Sequence, residues 1–463
     1  MKIDFELLSS QFAQKLDKFW ALSGQKIKLI EKEYIVDRGS PVYTVKGSYT
    51  TRGWTEWTQG FLYGSSLLQY DATGDEYYLN YGREHTRKMM APHVSHTGVH
   101  DHGFNNISTY GNLLRLMREG KIPHDSWEME FYELALKISG AVQAGRWTPI
   151  AGGGFIYSFN GPHSLFVDTI RTLRILMVSH LMGHVGQEEG DRKIDLFERA
   201  IQHARATAEY SVYYGRGRDG YDLRGRTAHE SIFNVKDGQY RCPNAQQGFS
   251  GYTTWTRGLA WAMCGFAEEL ELIDQLPDSF LEAYGGKKEI EPFMLEAAKA
   301  TCDFYLDHSP LDGIPYWDTG APLLHRIEKH LDRKADPFNA YEPVDSSAAA
   351  IGAQGLFRLG RYLEKREPEQ SKKYWQAGLT VLNSLLEEPY LSTGPDHQGI
   401  LLHSIYHEPN AWDHKAVEGL AAHGESSMWG DYHMRELALY ATRMLNNEKY
   451  YTFFGCIEPS LLK

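Results

Sequence analysis

Apolar residues recur three and four positions apart along most of the chain. That spacing predicts twelve helical segments, at 4–22, 57–71, 75–90, 103–118, 126–144, 165–183, 191–212, 252–272, 291–308, 344–364, 371–387 and 427–443. Phe197, Ala200, Ile201, Ala204 and Ala208 form one apolar stripe, and Phe293, Leu295, Ala298 and Phe304 contribute to another. Thr73-Gly74-Asp75 and Ser309-Pro310-Leu311-Asp312-Gly313 supply stops between segments. Strands do not alternate with helices, which disfavours a doubly wound sheet and a β/α barrel. No exact repeat of about 30–50 residues appears, and no low-complexity linker separates two halves. The simplest expectation is one all-α domain over residues 1–463, with six helix pairs closed on themselves as a toroid.

Four long non-helical stretches remain: 145–164, 213–251, 309–343 and 388–426. Function concentrates in such segments because a rigid scaffold holds them at the surface. The composition, 42% hydrophobic and 23% charged, is that of a folded soluble protein. A net charge of −12 argues against a nucleic-acid partner, which calls for a basic face. Screening over about 8–10 Å still lets a locally basic pocket hold a small anion. Neither a secretory leader nor an apolar run of roughly 20 residues is visible, so a cytoplasmic location without a membrane partner is expected. Cys242, Cys264, Cys302 and Cys456 are widely spaced and read as reduced thiols. Tyr 29, Phe 20 and Trp 11 give many flat rings, several beside Gly or polar residues; most serve packing, but such rings also stack on sugars.

Two acids stand at predicted helix starts. His100-Asp101-His102-Gly103-Phe104 places Asp101 where an N-cap would stand, yet three adjacent ionisable groups also suit a site that controls protons. Leu165-Phe166-Val167-Asp168-Thr169-Ile170 sets Asp168 among apolar residues; burial there is expected to raise its pKa and fit it for general-acid work. Capping explains either acid equally well. His93, His96, His100 and His102 match no closed zinc spacing, and no His-Glu-x-x-His occurs, so no metal is expected. A Gly-x-Ser-x-Gly elbow is absent, and Gly152-Gly153-Gly154 lacks the Lys-Ser/Thr of a phosphate loop, so no nucleotide cofactor is expected either. Arg257 and Trp261, four apart on one helical face, read either as a carboxylate and sugar clamp or as a cation–π pair that pins the helix.

Taken together, Trp57-Thr58-Gln59-Gly60-Phe61, His100-Asp101-His102-Gly103-Phe104, Val167-Asp168-Thr169, Gln247-Gly248-Phe249, Trp255-Thr256-Arg257-Gly258-Leu259-Ala260-Trp261, Pro315-Tyr316-Trp317-Asp318, Asp345-Ser346-Ser347-Ala348-Ala349-Ala350 and Trp429-Gly430-Asp431-Tyr432 resemble glycoside hydrolase family 88, the unsaturated glucuronyl hydrolases. The unsaturated rhamnogalacturonyl hydrolases are a more distant likeness. The resemblance spans most of the chain and implies an (α/α)6 barrel acting by vinyl-ether hydration on 4,5-unsaturated uronyl oligosaccharides left by a polysaccharide lyase. It implies that Asp168 is the general acid and base and that Asp101 is the carboxylate tuning it. Trp57 and Trp261 would be stacking walls, and His229, Gln247 and Arg257 polar ligands of the uronate. Tyr432 joins the substrate contacts on the same basis.

Two departures stand out. The stretch from Leu323-Leu324-His325-Arg326 to Asn339-Ala340-Tyr341 is longer than the family's usual connection, so the rim and the aglycone preference are open. Arg171 and Thr172 follow Asp168 where the family is commonly Asn-rich. Alternatives on the same scaffold are a conventional two-carboxylate glycosidase, a sugar isomerase or a glycan-binding module. Homo-oligomerisation is left open by the sequence.

Overall fold

The structure is a computed structural model describing residues 1–34, 39–52, 56–422 and 425–463. His423, in the non-helical stretch 388–426, lies outside the described residues. Leaving aside one-turn pieces, the helices are α1 (Ala13–Glu33), α2 (Gln59–Thr73), α3 (Glu76–Met89), α4 (His102–Asn106, running through a π turn at Ile107–Gly111 into Asn112–Arg118) and α5 (Ser126–Ala144). They continue with α6 (Thr169–Thr172 and Arg174–Leu181), α7 (Leu196–Ala206), α8 (Thr256–Gln275), α9 (Lys287–His308), α10 (Ser346–Leu363), α11 (Pro368–Leu385) and α12 (Met428–Leu445).

Six of these pack in succession: α2 on α4, α4 on α6, α6 on α8, α8 on α10, α10 on α12, and α12 back on α2. The others lie outside them, α3 on α2, α5 and α7 on α6, α9 on α8, α11 on α10, and α1 across α2 and α12. Glycines permit the close inner crossings. A Cβ on Gly103 would collide with the backbone of Thr172, and one on Gly265 would lie 3.1 Å from the Arg171 amide nitrogen. The Gly103 contact draws the start of α4 against α6. Beneath it, Arg171 is fully buried and binds both oxygens of Glu268 (3.0 and 3.1 Å) and also Glu436 (2.8 Å), so its charge is matched by α8 and α12. That pairing is what stands in place of the expected Asn-rich segment after Asp168.

Short strands connect the helices: hairpins β1–β2 (Pro41–Val45, Ser48–Thr51), β3–β4 (Trp147–Ile150, Gly153–Ile156) and β6–β7 (Gly186–Glu188, Arg192–Ile194), and a three-stranded antiparallel sheet in the order β5-β8-β9 (Ser164–Phe166, Glu230–Phe233, Tyr240–Asn244). These strands correct two predicted boundaries. Segments 165–183 and 191–212 each begin as a strand, because β5 pairs with β8 and β7 with β6 across gaps that periodicity does not register.

The first predicted helix is shifted further. Residues before Ser9 are not helical; they run along the outer layer, with Lys2 N–H bonded to the Leu311 carbonyl and Asp4 N–H to Thr380 Oγ1. The helix then continues to Glu33, beyond the expected end at 22, through Gly24, which is buried where a Cβ would collide with the Tyr78 hydroxyl. Among the described residues, no helix is long and apolar enough to cross a membrane.

Candidate active site

Asp101 and Asp168 immediately precede α4 and α6, and both are nearly buried, 6% and 7% exposed. Neither side chain caps its own helix. Both face His100, whose Nε2 lies 3.3 Å from Asp168 Oδ2 and 3.8 Å from Asp101 Oδ1. One oxygen of each acid and one nitrogen of His100 fall within 4.8 Å of one another. By donor type and spacing this is also the one set among the described residues suited to a metal ion. His102 does not join it, since its ring nitrogens contact Ser139 Oγ and the His96 carbonyl, both at 2.8 Å.

The small sheet brings His229 to the same place. Phe166 pairs with Glu230, and the Val167 N–H donates to the His229 carbonyl at 2.9 Å, so the residues flanking the β5–β8 pairing, Asp168 and His229, emerge side by side. The His229 Nδ1 accepts the amides of Gln246 (3.0 Å) and Gln247 (3.2 Å), which fixes the proton on Nε2. That Nε2 points to Asp168 Oδ1 across 3.9 Å. Neither atom has a hydrogen-bond partner among the described residues, so a donor and an acceptor face each other across a gap one polar group could bridge.

The electrostatics invert the expectation for Asp168. Burial pushes its carboxyl up, but the hydrogen bond and charge of His100, together with His229, bring it below the usual carboxylate value. Asp101 stays raised, chiefly by burial, with His100 opposing and Asp168 adding to the effect. Burial would lower His100, yet Asp101 and Asp168 outweigh it and hold the imidazole above its ordinary value. Burial, only partly offset by Asp168, holds His229 down to about 4, so it is neutral. The surroundings therefore favour protonation of His100 and Asp101 and disfavour it at Asp168.

The other expected contacts divide into two levels. Trp57 is half-buried at the mouth and stacks on Trp429, with centroids 5.1 Å apart at 28°, beside Phe104 and Tyr406. Gln247 stands next to His229 and accepts Arg257 Nη2 at 2.9 Å. Trp261, 2% exposed against Phe104 and His433, and Tyr432, fully buried against Phe61 with its hydroxyl taking the Asn112 amide at 3.3 Å, lie covered inside the ring of helices. Sharing a face with Arg257 carries Trp261 one turn deeper, where it presents no surface to a ligand.

Arg257 also differs from its expected role as a uronate ligand. Its guanidinium pairs with Asp345 at 2.9 Å, donates to the Ile405 and Tyr406 carbonyls and lies between the Trp255 and Trp429 rings. Buried, with both Nη1 and Nη2 donating, it ties the 405–406 backbone to α8.

Three contributors were missed by the sequence reading. His100 appeared there only as a metal candidate and as one of three adjacent ionisable groups, with no role of its own, although it stands between the acids. Phe166 packs against both site histidines, and Phe159, partly exposed, stacks over His100 at 6.0 Å and 21°. A ring two residues before Asp168 and another in the non-helical stretch 145–164 were visible signals.

No family model matches the chain. It is 26% identical over 423 residues to the unsaturated glucuronyl hydrolase of Bacillus sp. (strain GL1), covering 88% of this chain and 92% of that protein. It is 25% identical over 452 residues to the unsaturated chondroitin disaccharide hydrolase of Streptococcus pyogenes serotype M1, covering 95% and 92%. The crystal structure of the Bacillus sp. GL1 enzyme superposes with a TM-score of 0.68 at 22% identity over 95% of this chain and 98% of that one, a likeness of fold.

Proposed function

We propose, from the premise that the chain is a relative of the unsaturated glucuronyl hydrolases of glycoside hydrolase family 88, that it removes a 4,5-unsaturated uronic acid from the non-reducing end of lyase-generated oligosaccharides. The finer architecture belongs to the same proposal: one (α/α)6 toroid over residues 1–463, working in the cytoplasm, with its site at the inner-helix starts that carry Asp101 and Asp168. The observation that carries the reading is His100 held between two buried carboxylates, neither of which its own helix uses.

A 4,5-unsaturated uronide is a vinyl ether, so a proton added at carbon 4 leaves positive charge shared by carbon 5 and the ring oxygen. Water then adds at carbon 5 and surrenders a proton, the hemiketal opens, and carbon 1, now a hemiacetal, releases the aglycone. The uronate brings a negative charge beside Asp168, and a like charge raises a carboxyl pKa. Its arrival would move the proton held by His100 and Asp101 onto Asp168, which donates it to carbon 4 and, ionised again, takes one from the attacking water. The neutral His229 Nε2–H offers a donor in the gap beside Asp168 Oδ1.

Incubation with lyase-made unsaturated disaccharides tests this reading. The ultraviolet absorbance of the conjugated ene-carboxylate should disappear; no loss across chondroitin, heparin, ulvan and pectin fragments would refute it. The carboxylate spacing within 4.8 Å also favours a second reading, since retaining glycosidases hold their carboxyl groups about 5–5.5 Å apart. Turnover of a saturated glycoside, with the unsaturated one left intact, would select it.

A further inference from the structure

Loops 317–342 and 408–421, with Phe249, form a groove of about 460 Å³, within the range that holds a small ligand. Phe249 and Tyr341, 49% and 40% exposed, offer ring surface there, and Leu323 and Leu420 also line it. Two of its lining residues stand close along the chain to residues of the site. Phe249 is two residues beyond Gln247, whose amide holds His229, and Glu408 is two residues beyond Tyr406, whose ring packs on Trp57. Two residues span at most about 7 Å, the scale of one sugar ring.

The long loop is preorganised. Asn339 donates to the Asp336 and Glu342 carbonyls (2.6 and 2.7 Å) and accepts the amides of Tyr341 and Glu342 (2.8 and 2.9 Å). Glu342 accepts the Leu323 amide at 2.6 Å and the Trp317 indole N–H at 2.7 Å, so its carboxylate serves the loop. Among the described lining residues the one cation is Lys415, and it pairs with Glu408 at 3.4 Å.

We propose that this groove is the aglycone subsite and that it selects a neutral sugar over a sulfated one. The inference rests on the uronyl hydrolase reading and names the substrate class of that site. Aromatic and aliphatic walls receive the apolar face of an uncharged ring, whereas a sulfate would meet two carboxylates and a lysine already engaged, and desolvating it without a free cation is costly.

The test compares an unsaturated uronyl disaccharide bearing a neutral hexose, one bearing a 6-sulfated hexosamine, and the methyl glycoside of the unsaturated uronate. Wild type should prefer the neutral disaccharide over the sulfated one by about tenfold in kcat/KM. Tyr341→Ala and Phe249→Ala should each lower the ratio of neutral disaccharide to methyl glycoside by about tenfold, through KM, as loss of a single good contact does. Glu408→Gln, which frees Lys415, should shift preference toward the sulfated disaccharide. A wild-type preference for the sulfated substrate, or ratios unmoved in both aromatic variants, overturns the subsite. Failure of wild type on the methyl glycoside and both disaccharides instead overturns the hydrolase reading, and the subsite with it.

Discussion

The starts of α7 and α10 and the starts of α4 and α6 look alike in sequence: each helix is preceded by Asp. Asp195 and Asp345 turn their carboxylates onto their own helices, accepting the Glu198 amide at 2.9 Å and the Ser347 amide at 3.0 Å. Asp101 and Asp168 do not. The backbone explains the difference. Asp195 (φ −78, ψ 116) and Asp345 (φ −122, ψ 92) have the extended conformation that brings an N-cap side chain over the first free amides, while Asp101 (φ −93, ψ 16) and Asp168 (φ −65, ψ −23) are already near helical and swing away. A carboxylate released from capping and still buried retains its desolvation cost, and with it a pKa that neighbours can tune.

The contrast can be broken at several points. Asp168→Asn should lower kcat by about a thousandfold, as loss of a general acid does, while melting stays within a few degrees of wild type; unfolding on substitution would make Asp168 a structural acid like Asp345. Asp345→Asn should do the reverse in kind. It leaves the Arg257 guanidinium buried without its counter-ion, at a cost of about 3–5 kcal/mol, measurable by denaturant unfolding, and activity should be lost only through the weakened fold.

His100→Asn should cost about a hundredfold in kcat and move the pH profile. His100 holds Asp168 below its usual value, so its removal lets burial raise Asp168, and the limb of kcat/KM that titrates Asp168 should shift to higher pH. A shift to lower pH would contradict the assignment. Asp195→Ala gives the smallest effect, about 1 kcal/mol of stability from a lost cap, with kcat unchanged.

Much of the fold was legible because inner and outer helices each bury a continuous apolar stripe. Eleven of the twelve predicted segments coincide with a helix over most of their length. The first, 4–22, is the exception: α1 runs on to Glu33 past Gly24, where Tyr78 from another helix fills the space a side chain would take. At the site, Asp101 and Asp168 were visible as acids but not separable from caps, because ψ at those positions is set by tertiary contacts such as Gly103 on Thr172. The protein partners of Arg257 were not legible because its counter-ion, Asp345, lies 88 residues away. The reversed pKa order had no local signal either: it depends first on His100, 68 residues from Asp168 in the chain, and then on His229, which the β5–β8 pairing delivers to Asp168.

The central claim, that Asp168 protonates carbon 4 of an unsaturated uronide, is tested most directly by running the reaction in deuterium oxide and locating the label by NMR. The account predicts one deuterium at carbon 4 of the ring-opened product with wild type, and the same product formed about a thousandfold more slowly with Asp168→Asn. Release of the aglycone with the double bond intact and no deuterium at carbon 4 would contradict it.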